Sequence, residues 1–202
     1  MSTLTKQQVV AAFRSSEILD AARKVFSTRG FRDATVDEIA EAASLAKATV
    51  YQYFPSKQEI YLAAMRHGVI EMIDQTQREV DAAAGIRAKL TAFARTRLVY
   101  LEENREFFSV YNSQFGNLTH PASINDEFRN LYLQHLRFLE GVLRDSMERG
   151  EIPHAPIEIL ATTLYEGTRG LMLRRILGWS QTTVEQEVAG LIEILWKGIA
   201  RT

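Results

Sequence analysis

Apolar residues recur at intervals of three and four along almost the whole chain, which is the spacing of one face of an α-helix. Strand signals are nearly absent: there is no alternating apolar and polar run, no Asn-Gly or Asp-Gly hairpin, and only four prolines. This pattern predicts an all-α protein. About nine helices are predicted, over residues 6–28 (or 14–28), 35–43, 47–54, 57–81, 86–101, 105–115, 122–149, 156–177 and 183–199.

The long helix after Pro55 holds the domain boundary that we predict. Pro55 breaks the chain, and Ser56 with Glu59 fits a capping box at the start of this helix. The sequence contains no internal repeat and no low-complexity linker. We therefore expect an N-terminal domain over residues 12–72 and a C-terminal domain over residues 73–202, joined through the helix.

Composition places the chain among ordinary globular proteins. Apolar residues make up 46% and charged residues 24% of the sequence. The absence of cysteine excludes disulfides and thiolate metal sites. The first ten residues are polar, unlike a secretory leader, and no segment approaches the ~20 apolar residues of a membrane helix. We expect a cytoplasmic protein with no membrane partner.

The net charge of −1 argues neither for nor against a nucleic-acid partner. The chain has no basic tail and no polybasic patch. Any affinity for DNA must therefore come from a few placed cations, helix N-termini and hydroxyl groups.

Residues 35–54 have the pattern of a helix-turn-helix. Thr35 and Glu38 form a capping box at the start of a short helix. Residues 44–46 form the turn, and the small side chains of Ala40 and Ala43 let the second helix cross closely. Two short helices joined by a turn of three or four residues define this motif.

The second of these helices has an outward face without a single acid. Ala46, Val50 and Phe54 point inward at a spacing of four. A helix in the major groove avoids acidic side chains, because phosphates line both walls of the groove. The outward and flanking residues, with nearby polar residues at helix starts, are the candidate DNA contacts: Thr35, Lys47, Ala48, Thr49, Tyr51, Gln52, Tyr53 and Lys57.

These side chains suit DNA chemically. The methyl group of Ala48 can touch a thymine methyl, and Gln52 can read adenine. Lys47 can reach a guanine edge or a phosphate. A cation at Lys57, in the first turn of its helix, opposes the helix dipole, which makes sense if it serves a phosphate. The residues alone favour almost equally a plain three-helix cap with an incidentally basic surface.

Residues 14–64 resemble the N-terminal domain of TetR-family repressors, because matching residues occur in the same order and at the same spacing. The resemblance rests on Ile18-Leu19-Asp20-Ala21-Ala22, Phe26, Gly30-Phe31, Thr35-Val36, Ile39-Ala40, Ala43, and the run Ala48-Thr49-Val50-Tyr51-Gln52-Tyr53-Phe54-Pro55-Ser56-Lys57. One departure is the turn. Where the family commonly has Gly-Val-Ser, this chain has Ser44-Leu45-Ala46, which removes a helix N-cap worth roughly 1 kcal/mol.

The resemblance implies a homodimeric, sequence-specific DNA-binding transcription regulator with a C-terminal ligand domain. It implies repression at a double-stranded operator, relieved by a small-molecule effector. The family's DNA contacts map onto Thr35, Lys47, Ala48, Thr49, Tyr51, Tyr53 and Lys57. Activation instead of repression, and a C-terminal domain that answers to a protein partner, remain alternatives.

The C-terminal two thirds contain many aromatic residues that could line an apolar cavity between helices. Each residue alone is more readily explained as core, whereas the resemblance favours a cavity somewhere among them. Arg97 and Arg169 could bind an anionic group, but the residues favour pairing of each with a glutamate, such as Glu166 with Arg169. The candidate ligand contacts are Phe93, Arg97, Tyr100, Phe107, Phe108, Tyr111, Phe115, Tyr132, His135, Tyr165 and Arg169.

The last two predicted helices have a sequence pattern that is typical of an interface between two copies of the chain. Gly167 and Gly170 are costly inside a helix unless something packs closely against them. The last helix has a wider apolar stripe than one neighbour needs, which favours a four-helix dimer interface over burial within one chain. The candidate interface residues are Gly167, Gly170, Val188, Leu191, Leu195 and Trp196.

We expect neither an enzyme nor a metal or cofactor site. There is no Ser/His/Asp spacing, no cysteine and no glycine-rich phosphate loop. His67, Glu71 and Asp74 have a spacing that could hold a metal, but nothing else gathers around them in the sequence.

Overall fold

The computed structural model describes residues 5–114 and 126–199, which form helices and no strand, so the prediction of an all-α fold is confirmed. The nine helices of this described part agree with the number predicted. They are α1 (Lys6–Asp33), α2 (Val36–Ala42), α3 (Lys47–Tyr53), α4 (Lys57–Ala82), α5 (Ile86–Glu103), α6 (Arg105–Gln114), α7 (Asp126–Glu148), α8 (Ile157–Ile176) and α9 (Val184–Ile199).

Side-chain caps explain the starts of four of the described helices, among them α4 and α9. The backbone N–H of Glu59 donates to Ser56 Oγ at 3.1 Å, which begins α4 as predicted. Thr183 Oγ1 accepts from the N–H of Gln186 at 3.2 Å and begins α9. Gly30 has a φ of 74° but interrupts α1 instead of ending it, because the chain resumes a helical turn that reaches Asp33. The first helix is therefore longer than its apolar pattern predicts.

The chain divides into two compact units. Unit 1 contains Met1–Gly68 and Glu106–Leu118, and unit 2 contains Val69–Arg105 and Thr119–Thr202. The helix α4 contributes residues to both units. The sequence-based division at residues 72 and 73 assigned the segment 106–118 to the C-terminal domain, whereas it clusters with the N-terminal helices here.

The core of unit 1 is built on α1, α2 and α3. Helix α2 packs against α1 on one side and α3 on the other. Phe26, Ile39 and Val50 are fully buried, which joins the three helices through one apolar centre. Tyr61 from α4 is also fully buried, and its hydroxyl donates to the carbonyl oxygen of Phe107 at 2.9 Å. The helix-turn-helix thus stands on a rigid base.

The core of unit 2 centres on α5, which packs against α7, α8 and α9. Its apolar interior includes Leu98, Leu139 and Leu164, all almost completely buried. None of the helices within residues 5–114 and 126–199 is both long and apolar enough to cross a bilayer.

Candidate DNA interface and the polar interior of unit 2

Helix α2 begins at the capping box that the sequence predicts. Thr35 Oγ1 accepts from the N–H of Glu38 at 3.2 Å, and the Glu38 carboxylate accepts from the N–H of Thr35 at 2.9 Å. Arg29 lies 3.1 Å from the same carboxylate. The backbone hydrogen bond from Thr35, assisted by the Thr35 hydroxyl and Arg29, lowers the pKa of Glu38. Thr35 is exposed and holds the start of α2 in place.

The turn between α2 and α3 closes with a left-handed residue. The N–H of Leu45 donates to the carbonyl of Ala40 at 2.8 Å, and the N–H of Ser44 donates to that of Glu41 at 2.9 Å. These two bonds make a Schellman motif, whose penultimate residue is usually glycine. Ser44 fills that position with a φ of 56°. The replacement of glycine by Ser44 therefore strains the backbone at this residue, but the Schellman motif still forms.

Helix α3 lacks a side-chain cap. Ala46 is its N-cap and makes no capping hydrogen bond, as its methyl side chain requires. Val50 is fully buried against the core of unit 1. Ala48, Tyr51 and Gln52 are exposed, with Tyr51 showing 45% of its surface.

The remaining candidates on α3 lie at the edges of this exposed face. Thr49 and Tyr53 are half-buried, and Lys47 is exposed at the start of the helix. Apart from Lys47, the exposed face therefore consists of small, aromatic or amide side chains, and it carries no acid of its own.

An acid from α2 stands beside that face. Asp37 Oδ2 lies 2.7 Å from Lys47 Nζ, with both side chains about half exposed or more. This hydrogen bond raises the pKa of Lys47, so its ammonium group stays charged. The sequence pattern of α3 does not predict this ion pair, because Asp37 lies on α2, ten residues before Lys47. A surface ion pair of this kind is weak and screened by salt, so Lys47 can exchange Asp37 for a phosphate.

Lys57 already has partners within unit 1. Its Nζ donates to the carbonyl oxygens of Arg32 at 3.0 Å and Ala34 at 2.9 Å, and it lies 4.9 Å from the centre of the Phe31 ring. A cation is favourable at the C-terminus of a helix, where carbonyl groups lack partners. The end of α1 therefore explains a lysine in the first turn of α4 without a phosphate, which corrects the argument from the helix dipole alone.

Two basic side chains meet in the interior of unit 2. Arg97 of α5 and His135 of α7 are 2% and 0% exposed, respectively. Nε and Nη1 of Arg97 and both ring nitrogens of His135 are buried without a hydrogen-bond partner. Burial, followed by the nearby charge of Arg97, lowers the pKa of His135 to about 3, so its imidazole is neutral at pH 7.

Aromatic rings surround this pair. The guanidinium carbon of Arg97 lies 4.0 Å from the centre of the Tyr165 ring and 5.1 Å from that of Phe93. The His135 ring lies 5.1 Å from Phe93 and 5.7 Å from Tyr165. Tyr132 packs edge-on against Tyr165 at 4.9 Å. We call these five residues the Arg97 cluster; all five were singled out from the sequence.

The other polar candidates of unit 2 are bonded nearby. Arg169 Nε lies 3.2 Å from Glu166 Oε2, so these residues pair with each other, as one of the two sequence interpretations proposed. Tyr100 donates its hydroxyl proton to Glu71 at 2.8 Å. Burial, followed by the charge of Glu166, raises the pKa of Tyr132.

The aromatic candidates on α6 belong to unit 1. The Phe107 ring packs against that of Tyr61 at 5.1 Å and against Phe108 at 5.8 Å, as core residues do. Tyr111 is part of α6, but its side chain lies outside the described residues, and so does the whole of Phe115. The structure thus brings together only some of the eleven predicted ligand contacts.

Comparison with known proteins agrees with the geometry of unit 1. Residues 18–64 match the family described as bacterial regulatory proteins, tetR family. This segment contains the exposed α3 and the turn that carries it. Residues 18–64 belong to the TetR family.

Known regulators match most of this chain. The transcriptional repressor KstR2 of Rhodococcus jostii is 25% identical over 193 residues, which are 93% of this chain and 91% of KstR2. The fatty acid metabolism regulator protein of Bacillus subtilis is 25% identical over 154 residues, covering 75% and 77%. Its relatives are therefore DNA-binding transcription regulators.

A solved structure confirms the fold over nearly the whole chain. FadR of Bacillus subtilis, crystallised with stearoyl-CoA, superposes with a TM-score of 0.73 at 18% identity. The match covers 91% of this chain and 98% of FadR. Over the matched residues, the chain thus shares its fold with a known regulator.

The residues predicted at a dimer interface differ in their exposure. A Cβ atom on Gly167 would lie 3.1 Å from Leu191 Cδ1, so this glycine lets α8 and α9 approach within one chain. Val188 is 2% exposed. Gly167 and Val188 therefore serve packing between helices within unit 2, and Leu191 supplies the contact at that glycine; a role of the three in a dimer interface stays a prediction. Leu195 and Trp196 are half-buried.

The outward faces of α8 and α9 carry apolar residues that the sequence argument did not select. Ile159 of α8 is 67% exposed and Ile194 of α9 is 73% exposed. Gly170 and Gly190 are exposed on the same helices, with open space where a Cβ atom would stand. Periodicity could have found them, but a stripe of apolar residues does not reveal which side a neighbouring helix covers.

Proposed function

We propose that this protein is a homodimeric repressor that reads its operator with α3 and leaves it when a small hydrophobic ligand binds unit 2. The observation that carries the proposal is the exposed, acid-free face of α3, held on the rigid core of unit 1. Phosphates line the major groove, so a helix that enters it must present such a face.

Contacts with DNA divide by chemistry. Ala48, at the centre of the exposed face, permits close approach to the bases, where Gln52 reads an adenine edge. The hydroxyl groups of Thr49, Tyr51 and Tyr53 donate to phosphates and set the register of the helix. Lys47 exchanges Asp37 for a phosphate or a guanine edge. The remaining two candidates, Thr35 and Lys57, serve phosphates while they hold the ends of α2 and α1.

Dimerisation uses the outward faces of α8 and α9. Exposed apolar residues on a surface mark protein interfaces when small residues let helices approach. Ile159 and Ile194 supply the apolar area, and Gly170 and Gly190 allow close packing. Two helices from each copy then form a four-helix interface, beside which Leu195 and Trp196 are half-buried.

The ligand shifts the population towards a form that does not fit DNA. A ligand does so when it binds that form more tightly than the other. Helix α4 contributes residues to both units, which makes it the natural element to connect ligand and DNA. The stearoyl-CoA bound to FadR and the role of the B. subtilis relative in fatty acid metabolism support a hydrophobic ligand.

An operator selected from a pool of random-sequence DNA duplexes tests the first half of the proposal. Ala48→Glu places a negative charge at the centre of the α3 face, and like charges across an interface cost several kcal/mol. We expect operator affinity to fall at least about 100-fold in fluorescence anisotropy. Ala88→Glu is the matched control, because Ala88 is an exposed helical alanine in unit 2.

Equal affinity for the wild type and Ala48→Glu would reject α3 as the recognition helix. A reporter gene behind the selected operator then tests repression. We expect the protein to lower transcription, and a rise would make it an activator.

A further inference from the structure

Arg97 is a buried cation that forms no ion pair with any carboxylate of the described residues. It makes no ion pair within 4.0 Å anywhere in the described residues, and two of its three nitrogens are orphaned. The nearby Glu166 forms its ion pair with Arg169 instead. Buried charges are normally paired, because an isolated ion in a protein interior loses its hydration.

His135 does not relieve this charge. Its imidazole is neutral, and a neutral ring offers one N–H donor and one acceptor but no negative charge. Both of its ring nitrogens are themselves buried without partners. Four unpaired nitrogens in one cluster are more than packing explains, because nearly all buried polar groups of native proteins are hydrogen-bonded.

The aromatic rings hold Arg97 without neutralising it. Tyr165 and Phe93 contribute cation–π contacts, which partly compensate a desolvated guanidinium. They also keep its surroundings apolar. A guanidinium presents a planar fork of donors that matches two oxygens of a carboxylate or phosphate.

We propose that Arg97 and His135 bind the anionic oxygen group of an otherwise apolar effector, whose hydrocarbon part packs on the aromatic rings of the Arg97 cluster. The inference rests on the effector control proposed above and adds the chemical class of the ligand. Arg97 supplies the charge and a bidentate contact. The single N–H donor of His135 supplies a further hydrogen bond.

The stability of Arg97→Met tests this inference on the ligand-free protein. Replacing a buried ion by an apolar side chain of similar length stabilises a protein when the charge has no structural partner. We expect the ligand-free melting temperature to rise by at least about 2 °C. Arg95→Met, which removes an exposed arginine from the same helix, should leave it within about 1 °C. A lower melting temperature for Arg97→Met would overturn the inference.

Titration with paired probes tests the chemistry of the ligand. Octanoate, dodecanoate and hexadecanoate represent carboxylates, dodecyl phosphate represents phosphates, and the alcohols of the same lengths are neutral controls. We expect an anionic probe to stabilise the wild type and the matching alcohol not to. Arg97→Met should weaken that binding at least about 30-fold. Equal stabilisation by the alcohol and the anion, or no stabilisation by any anion, would overturn the inference.

His135→Phe keeps the measurement decisive if Arg97→Met does not fold. Phenylalanine preserves an aromatic ring at this position and removes two unpaired nitrogens. The variant should melt no lower than the wild type and bind the preferred anion about 10-fold more weakly, as the loss of one hydrogen bond to a charged group predicts. Unchanged affinity would remove His135 from the site.

The two proposals fail in different ways. If an anion binds through Arg97 but the affinity for the selected operator does not change, effector control fails and the anion site stands. If neutral probes release the operator equally from the wild type and Arg97→Met, effector control stands and the anion site fails.

Discussion

The described residues of unit 2 include two buried arginines with opposite surroundings. Arg175 donates through Nε to Glu187 at 2.8 Å, through Nη1 to Glu102 at 2.9 Å, and through Nη2 to the carbonyl of Thr182 at 2.7 Å. Arg97 has no carboxylate partner among the described residues, and two of its three nitrogens have no hydrogen-bond partner. Arg175 is bonded at every nitrogen, as expected of a buried arginine that serves the fold, so Arg97 is the better candidate for binding a ligand.

The surroundings of Arg175 also explain how such a group is made stable. Glu187 accepts hydrogen bonds from Arg175, Thr182 and Ser180, so its own charge is fully satisfied. This network connects α5, the α8–α9 loop and α9. It fixes the corner of unit 2 where the last helix begins.

The largest effect that separates the two arginines is expected for Arg175→Met. Removing one partner of a buried ion pair leaves the other charge stranded and costs about 3–5 kcal/mol. Chemical denaturation should show this loss of unfolding free energy, while Arg97→Met shows a gain. If the two variants shifted stability in the same direction, the distinction between a structural and a ligand-binding arginine would collapse.

Glu187→Gln should have the next largest effect. It keeps the size and hydrogen-bonding capacity of the side chain but removes the charge opposite Arg175. A hydrogen bond to a charged group contributes about 1.5–3 kcal/mol, so we expect a loss in that range. Glu185→Gln changes an exposed carboxylate of the same helix and serves as the control. Equal losses of unfolding free energy in Glu187→Gln and Glu185→Gln would mean that the buried hydrogen-bond network does not stabilise the protein.

Acid should reduce the difference between the wild type and Arg175→Met. Burial raises the pKa of Glu187, but hydrogen bonds from Ser180 and Arg175 outweigh it and the pKa is lowered below its usual value of 4.5. A depressed carboxyl pKa stabilises the fold above 4.5 and loses that contribution as the pH falls through the folded pKa. The gap in unfolding free energy between the wild type and Arg175→Met should therefore narrow as the pH falls below 4.5 and through the lowered pKa of Glu187. A gap that widened on acidification would contradict the assigned charge state.

The smallest expected effect lies at Ser44, where a local cost has no ligand to explain it. A left-handed conformation costs a residue with a Cβ about 1–2 kcal/mol, and glycine adopts it freely. Ser44→Gly should stabilise the protein by about 1 kcal/mol without changing operator affinity. Thermal unfolding and anisotropy measure the two quantities. A change in operator affinity would show that the strain at this turn serves DNA binding. Ser44 would then resemble Arg97, where we infer that the cost of an unpaired charge serves ligand binding.

Local signals made the fold and the helix-turn-helix predictable. Capping boxes such as Thr35 with Glu38, glycines and the spacing of apolar residues depend on neighbours within a few positions. The same signals placed Ala48, Tyr51 and Gln52 on an exposed face. Errors arose where a distant segment intervenes, as for Lys57, whose partners at the end of α1 lie more than twenty residues away.

The residues in the interior of unit 2 could be predicted from the sequence, but their hydrogen bonds and ion pairs could not. The sequence pointed to Arg97, His135 and the surrounding aromatic residues, yet it could not tell whether a glutamate would pair with Arg97. Pairing depends on distances between helices far apart in sequence. Glu166 turned out to bind Arg169, one turn away, and no described carboxylate forms an ion pair with Arg97. The packing of α8 against α9 at Gly167 also depends on distances between helices, and the dimer interface itself stays a prediction.

Dimethyl sulfate protection of the selected operator tests most directly the central claim that α3 reads DNA from the major groove. The reagent methylates guanine N7, an atom that lies in that groove. The account predicts that the wild type protects two guanine-containing segments about one helical turn or slightly more apart (roughly 34 Å), and that Ala48→Glu protects neither. Protection of a single segment, or a footprint unchanged by Ala48→Glu, would contradict a dimer that reads its operator with α3.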